Sequence, residues 1–340
     1  MPNLILKKTI DIFRAGIELP SVEAEPFFDA LIAETDEQIL TDLLKAWEAK
    51  GTTENELFLL ASIMRRRCIR VETKHEIFID AVGTGGSKAK TFNVSTAAAF
   101  VIAGAGIPVA KHGNRAATSN SGSADVLSAL GVNPSVDAAQ ARKCLDKIGI
   151  CFMFAPNFHR LSPTLAKVRR ELGFPTIFNN LGPLCNPANA PYQVIGVWSE
   201  RLVEKTANVL ARLGTKKSWI VHGSDGLDEI TLSGRTKVAE VSGASVRSFE
   251  ISPQEFCIEF ADLTGVTVSD CNESAALIRD VLGGNGANET AINLIAVNAA
   301  AAIHIASSNL DLATSFRMAR ESISNGAAGE KLAKLIEFTN

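Results

Sequence analysis

An α/β fold is predicted, with a small N-terminal helical domain ahead of a large α/β domain built on a mostly parallel central sheet. Three observations predict it. Up to about residue 70 the apolar residues recur at helical spacing. From there on, short apolar runs ending in glycine alternate with helix-like stretches, which implies parallel pairing and a sheet covered on both faces. Aromatic residues make up only 6% of the chain, beside long runs of Ala, Val, Ile and Leu in a hydrophobic fraction of 46%. A length of 340 residues suits two domains. They are placed at residues 1–72, with part of the 160–185 crossover, and at residues 73–340.

The elements follow in order. Thr53-Glu54-Asn55-Glu56 is a capping box, in which the Thr hydroxyl takes a backbone N–H and Glu56 reaches back. Leu57, Leu60, Ala61, Met64 and Cys68 then share one helix face. Arg65, Arg66 and Arg67 close that helix where cations suit the dipole, and are expected to form a solvated last turn. Ile77 to Val82 is a short buried strand entering a turn. Ser95 to Ala105 is apolar on all sides, as a buried helix is. Ile107 to Asn114 reads as strand then loop, and Ser123 to Leu130 as a helix stopped by Gly131. The stretch from Arg160 to Gln193 holds five prolines and reads as a helix followed by a crossover with tight turns. A helix ends at Leu213-Gly214, Ser218 to Gly223 is another buried strand, and "KVAEV" and "VRSFEIS" are expected to add antiparallel strands.

Composition limits the function classes. The net charge is −3 and the pI about 6.0, so no basic field draws nucleic acid or an anionic membrane. The six cysteines (Cys68, Cys144, Cys151, Cys185, Cys257 and Cys271) form no C-x-x-C and no zinc spacing. They read as buried, reduced thiols, and a cytoplasmic location is expected. "MPNLILKKTIDIF" lacks the apolar core of a signal peptide. The most apolar run, Asn293 to Ala306, reads as too short and too polar to cross a bilayer.

Three segments carry chemistry. Gly83-Thr84-Gly85-Gly86 follows a strand, where open α/β sheets bind ligands, and lets backbone N–H groups approach a ligand closely. Asn93, Ser95 and Thr96 fall at a helix start, whose N–H groups and dipole favour an anion. The pair suggests a pyrophosphate cradle; the bland reading is a capped strand-to-helix turn. There is no G-x-x-x-x-G-K-[ST]. Gly104-Ala105-Gly106 lacks the third glycine of a dinucleotide fingerprint and reads as a helix stop. In "KHGNRAATSNSGSAD", Lys111 and Arg115 supply charge while Asn114, Thr118, Ser119, Ser121 and Ser123 supply hydrogen bonds, an inventory that fits a sugar phosphate. Lys111 and Arg115 could instead bridge to acidic neighbours. In "HGSDGLDEIT", Asp225, Asp228 and Glu229 lie just beyond a strand, and adjacent carboxylates there suit Mg²⁺, which shares substrate phosphates. Of the histidines, His222 and His304 are expected to be satisfied core residues and His75 to lie at the surface. His112 and His159 stand where substrate contact and scaffold are both open.

Taken together, "GTGG…NVST", "KHGNR…SGSAD", "VRRELG…TIFNNLGPL.NP" and "DGLDE" resemble the anthranilate phosphoribosyltransferase family, in the family's order and over nearly the whole chain. The resemblance implies a fold of the nucleoside phosphorylase and phosphoribosyltransferase type, a homodimer formed through the helical part, and a place in tryptophan biosynthesis. It implies transfer of phosphoribose from phosphoribosyl pyrophosphate (PRPP) to the amine of anthranilate, with Mg²⁺ as cofactor. By the same resemblance, Gly83, Gly86, Ser87, Thr91, Asn93, Val94, Ser95 and Thr96 line the PRPP. So do Lys111, His112, Gly113, Asn114, Arg115, Ala116, Ala117, Thr118, Ser119 and Ser123. Gly83, Asn114 and Arg169 contact anthranilate, Arg169 facing its carboxylate, and Ser95, Asp228 and Glu229 hold Mg²⁺. No residue is assigned as a catalytic acid or base. The chain departs from the family at three places. Ser87 stands where many members carry Asp, Asn120 where Lys is common, and His159-Arg160-Leu161-Ser162 in place of His-Pro-Ala-Met. The last bears on the aromatic acceptor, so another aromatic amine is an alternative. A related pyrimidine nucleoside phosphorylase, or a non-catalytic relative that binds nucleic acid or another partner, are others.

Overall fold

The computed structural model describes residues 2–85, 91–116, 121–284, 288–307 and 309–340. The chain begins with four helices: α1 (Pro2–Arg14), α2 (Ala24–Ala33), α3 (Glu37–Lys50) and α4 (Glu54–Arg67). Their apolar faces meet around Trp47, with the Phe13 and Phe27 rings 4.8 and 5.5 Å from it. The capping box forms as expected: Glu56 N donates to Thr53 Oγ1 at 3.2 Å and Thr53 N to Glu56 Oε2 at 3.0 Å. Glu56 does more than cap. Fully buried, it also accepts from Leu19 N, Trp47 Nε1 and Lys50 Nζ at 2.9–3.0 Å, which ties α3, α4 and the loop before α2 at one point.

The arginine run is only partly the solvated turn expected. Arg66 and Arg67 lie outside and pair with Glu25 and Asp29 of α2. Arg65 is buried instead. Its Nε donates to Leu184 O at 2.6 Å and its terminal nitrogen to Asn189 Oδ1 at 3.1 Å. The last turn of α4 packs on the crossover, and a guanidinium has the donors to satisfy carbonyls that would otherwise be lost there.

The seven strands are β1 (Ile79–Gly83), β2 (Val109–Gly113), β3 (Ile150–Phe154), β4 (Tyr192–Gly196), β5 (Lys217–Gly223), β6 (Thr236–Ser242) and β7 (Ser245–Ile251). They form one sheet in the order β3-β2-β1-β4-β5-β6-β7. Pairing is parallel from β3 to β5, and β6 and β7 add antiparallel edges as expected. Strand order reverses between β1 and β4, so their carboxyl ends, Gly83 and Gly196 in register, mark the switch point where such sheets hold ligands. Successive residues of β5 fall in different cores: Trp219 and Val221 in one, Ile220 in the other, as the two-residue period of a strand requires.

The remaining helices cover both faces. They are α5 (Val94–Gly104), α6 (Ser123–Ala129), α7 (Ala138–Ile148), α8 (Ala155–His159), α9 (Pro163–Leu172), α10 (Ile177–Leu184) and α11 (Arg201–Arg212), then α12 (Cys271–Leu282), α13 (Glu289–Ala306), α14 (Leu312–Ser324) and α15 (Ala327–Thr339). One core joins α5, α13 and the C-terminal helices to the sheet; the other joins the first four helices, α9, α10 and α11. Two expectations need correcting. The crossover contains a second helix, α10, which Thr176 starts by donating its N–H to Asn179 Oδ1 at 3.1 Å and which runs through Pro183. And α13 is 18 residues long, apolar and long enough by length and composition to cross a membrane. It is 78% buried inside the fold, a core helix. Four cysteines are buried as expected, but Cys257 is exposed and Cys271 half-buried: Cys257 follows a one-turn helix with a positive φ, where chain reversal turns it outward.

Candidate active site

Gly83 ends β1, and the segment beyond β5 passes directly over it. A Cβ at Gly83 would lie 2.9 Å from Asp228 Oδ2, and one at Gly196 only 1.6 Å from Asp228 O. Both glycines are therefore required by close approach. Asp228 Oδ2 accepts the Gly85 N–H at 3.0 Å, and Glu229 Oε1 accepts the Ser95 N–H at 3.1 Å, at the start of α5. The amides expected to stand bare for a phosphate thus hold the two carboxylates in this state of the chain. Helix termini and glycine turns attract any anion, and these carboxylates are the nearest ones.

Lys111 comes up beside Glu229 from β2. It is buried, and its Nζ donates to Ala81 O at 2.5 Å and to Ser95 Oγ at 3.4 Å. Burial lowers its pKa, while Asp80 and Glu229 hold it up. Burial raises both carboxylates, and for Glu229 the charge of Asp228 adds to this. Two adjacent acids with a lysine beside only one of them are short of positive charge, which fits a divalent cation. The described residues include no cluster of three or more His, Cys, Asp or Glu. Asp228, Glu229 and the Ser95 hydroxyl would then be the protein's share of a hard-cation site, with water and phosphate oxygens completing it, the usual arrangement for Mg²⁺. The residues present fit that ion.

Beneath Lys111 lies Asp80, which its local sequence does not single out. It is fully buried; its Oδ1 accepts His112 N at 3.2 Å and its Oδ2 accepts Asn186 Nδ2 at 2.8 Å. Burial pushes its carboxyl up to about 6, against the pull of Lys111. Asn93 is likewise held in place: its Oδ1 accepts from Ser121 Oγ at 2.8 Å and from Ser274 Oγ at 3.0 Å. Arg115 bridges to Asp125 at 2.9 Å, the acidic-neighbour alternative, while still lining the cleft. Asp125 Oδ2 also accepts Ala116 N and Gly122 N at 2.9 and 3.1 Å, which closes the loop before α6.

The cleft has a volume of about 830 Å³. Gly83, Thr91, Asn93, Val94, Ser95, Thr96, Lys111, His112, Gly113, Asn114, Arg115, Ala116, Ser123, Arg169, Asp228 and Glu229 all line it. Gly86, Ser87, Ala117, Thr118, Ser119 and Asn120 lie outside the described residues. His159, Leu161 and Phe178 line it too. Arg169 projects from α9, its guanidinium 4.9 Å from the Phe178 ring. Its Nε is cut off from water with no partner among the described residues. Burial and the neighbouring Arg170 lower its pKa to about 10, so it stays cationic at neutral pH. His222 and His304 are half-buried and not in the core as expected, though each is satisfied by a carbonyl, Val197 O and Leu310 O, at 2.7 and 2.6 Å. His75 is half-buried and bonds Leu145 O at 3.2 Å.

A mostly parallel sheet with a glycine turn, a buried acid pair and a lysine gathered at its carboxyl ends fits a group-transfer enzyme of the phosphorylated-sugar type. Residues 75–329 match the family described as "Glycosyl transferase family, a/b domain". Curated relatives agree over nearly the full length. The anthranilate phosphoribosyltransferase of Ruminiclostridium cellulolyticum is 42% identical over 99% of this chain and 94% of its own, and that of Cellvibrio japonicus 45% over 87% of each. The crystal structure of the Thermus thermophilus enzyme superposes with a TM-score of 0.88 at 34% identity, covering 97% of this chain and 99% of that one. The Saccharomyces cerevisiae enzyme in complex with PRPP and Mg also superposes at 0.88, with 27% identity, covering 98% and 97%. The chain belongs to the anthranilate phosphoribosyltransferase family.

Proposed function

We propose that this chain transfers the phosphoribosyl group of PRPP to the amine of anthranilate with Mg²⁺ as cofactor, releasing pyrophosphate in tryptophan biosynthesis. The observation that carries the reading is the meeting of Asp228 and Glu229 with the amides of Gly85 and Ser95. It brings two phosphate-type loops and a hard-cation pair to one end of the sheet. When bound, Mg²⁺ supplies positive charge to the departing pyrophosphate. Gly83, Gly86, Ser87, Thr91 and Asn93 to Thr96, with Lys111 to Ser119 and Ser123, bind the PRPP. Lys111 is fixed before reaction, so it opposes charge where it develops without reorganising; the Ser95 amide would do so once Glu229 leaves it. Gly83 and Asn114 flank the acceptor, and the guanidinium fork of Arg169 takes its carboxylate. The aromatic amine is neutral at pH 7 and its lone pair is free, so the chain's work is alignment more than proton removal.

The domain division at residues 72/73 is kept as part of this reading, as is a cytoplasmic location. A homodimer through the helical part belongs to the same reading, and Leu4, Ile17 and Val22 lie exposed on that part.

The test follows anthranilate fluorescence with PRPP and Mg²⁺. Loss of signal that stops with a chelator, and that needs at least tenfold more Mg²⁺ in Asp228→Asn, supports the reading. Turnover indifferent to chelator, or consumption of a different aromatic amine in place of anthranilate, refutes it. Sedimentation at a monomer's mass refutes the dimer.

A further inference from the structure

α13 is apolar along most of its length, yet Asn298 sits in its middle, 3% exposed. All of its amide is used. Oδ1 accepts Ile230 N at 2.9 Å, while Nδ2 donates to Ile230 O at 3.0 Å and to Leu294 O at 2.9 Å. One side chain therefore takes both backbone groups of a single residue, the one immediately after Glu229. Ala299, Ala300, Ala301 and Ala302 follow it, all fully buried, and their small side chains let the helix lie close to the sheet.

On the opposite flank the same segment rests on β4, where Gly196 leaves room for Asp228 O. The stretch from Asp228 to Ile230 is thus gripped at both ends. An amide is a poor choice for α13 on its own account. Asn favours turns over helix interiors, and a buried polar group is unfavourable unless bonded. Its purpose lies in what it bonds.

We propose that Asn298 is a positioning residue for the transfer reaction: by clamping the Ile230 backbone it holds the Asp228 and Glu229 carboxylates in the geometry that receives Mg²⁺. This rests on the metal role proposed above for that pair. A neutral amide suits the task because it offers a donor and an acceptor side by side, matching one residue's C=O and N–H. An Asp there would lose the donors and add a third negative charge. A Gln would overreach by one methylene.

The test measures Mn²⁺ binding by electron paramagnetic resonance, the Mg²⁺ needed for half-maximal turnover, the anthranilate KM and the thermal midpoint. It compares wild type, Asn298→Ala and Ile303→Ala. Ile303 is buried in the same helix and serves as a stability control. Asn298→Ala is expected to weaken Mn²⁺ binding and to raise the Mg²⁺ requirement at least tenfold, with the anthranilate KM within twofold of wild type. Ile303→Ala is expected to lower the thermal midpoint with metal affinity within twofold. Wild-type Mn²⁺ affinity in Asn298→Ala, or equal weakening in Ile303→Ala, overturns the inference and leaves the proposed reaction standing. A wild-type chain that binds no Mn²⁺ overturns both. A second measurement needs no variant: the Ile230 amide of the wild type is expected to exchange with solvent as slowly as the amides of α13, and fast exchange refutes the clamp.

Discussion

His159 Nε2 lies 3.2 Å from His112 Nε2, and a single proton holds the two rings together. The Nδ1 of His112 is 3.1 Å from Gly182 O, and a carbonyl only accepts, so His112 is protonated on Nδ1. Its Nε2 is then the acceptor, and the shared proton belongs to His159 Nε2. The Cys185 backbone also faces the His159 ring and favours its proton, and the ring lines the cleft.

Burial drives His159 down to about 4, and burial together with the His159 and Lys111 charges holds His112 well below its ordinary value. Both rings are neutral in the folded chain at pH 6, while the unfolded chain takes up protons below about 6.5. Protons therefore favour unfolding, and stability present above pH 6.5 is lost as pH falls toward 4. Asp80, raised to about 6, works the other way, since its folded form gains a proton below that pH. The comparison must be between variants. The fall in thermal midpoint from pH 7 to pH 5 is expected to be smaller in His159→Asn than in wild type, by an amount corresponding to at most about 2 kcal/mol. An identical slope in both proteins would show that His159 is not held neutral.

Arg169→Ala is expected to raise the anthranilate KM tenfold or more and the PRPP KM less than threefold. Arg169→Lys is expected to restore little, because an ammonium lacks the planar fork and its stacking on Phe178. Steady-state kinetics against each substrate separates the two effects, and equal rises in both constants would remove Arg169 from the acceptor's carboxylate.

Gly196→Ala places a methyl group where the Asp228 carbonyl now sits. The segment must retreat from β4 and carry its carboxylates with it. The expected outcome is a loss of about 1–3 kcal/mol in stability by urea unfolding, with a larger proportional loss of turnover. Full activity would mean that the acid pair tolerates displacement.

Glu56→Ala leaves Lys50 buried with its charge unmatched, and Leu19 N, Trp47 Nε1 and Thr53 N without their acceptor. Removing one partner of a buried pair costs about 3–5 kcal/mol. Urea titration is expected to show that loss, and a change under 1 kcal/mol would contradict the central place given to this carboxylate.

Much of the cleft is legible in the sequence because the residues that line it lie in short, chemically distinctive runs. Gly83 to Gly85, Asn93 to Thr96, Lys111 to Ala116 and Asp228-Glu229 announce their chemistry by type and spacing, and the fold gathers them at one strand end. What escapes such a reading depends on partners far away in the chain. Asp80 reads as one polar residue in a strand until Asn186 and His112 are seen around it. Asn298 reads as a blemish in an apolar helix until Ile230 is placed beside it. Arg65 looks like an ordinary cationic helix end, since nothing local shows that Leu184 O waits for it. α10 is hidden by Pro175 and Pro183, whose turn signal outweighs a short helical period.

His159, Leu161, Arg169, Phe178 and Pro183 all line the cleft, and all fall on the single excursion between the end of β3 at Phe154 and the start of β4 at Tyr192. The glycine turn, Lys111 and the acid pair come from outside that excursion. This wall of the cleft is thus one contiguous cassette, set against residues drawn from the rest of the sheet. Replacing that one contiguous piece of gene would reshape a whole wall of the cleft while leaving the glycine turn, Lys111 and the acid pair in place.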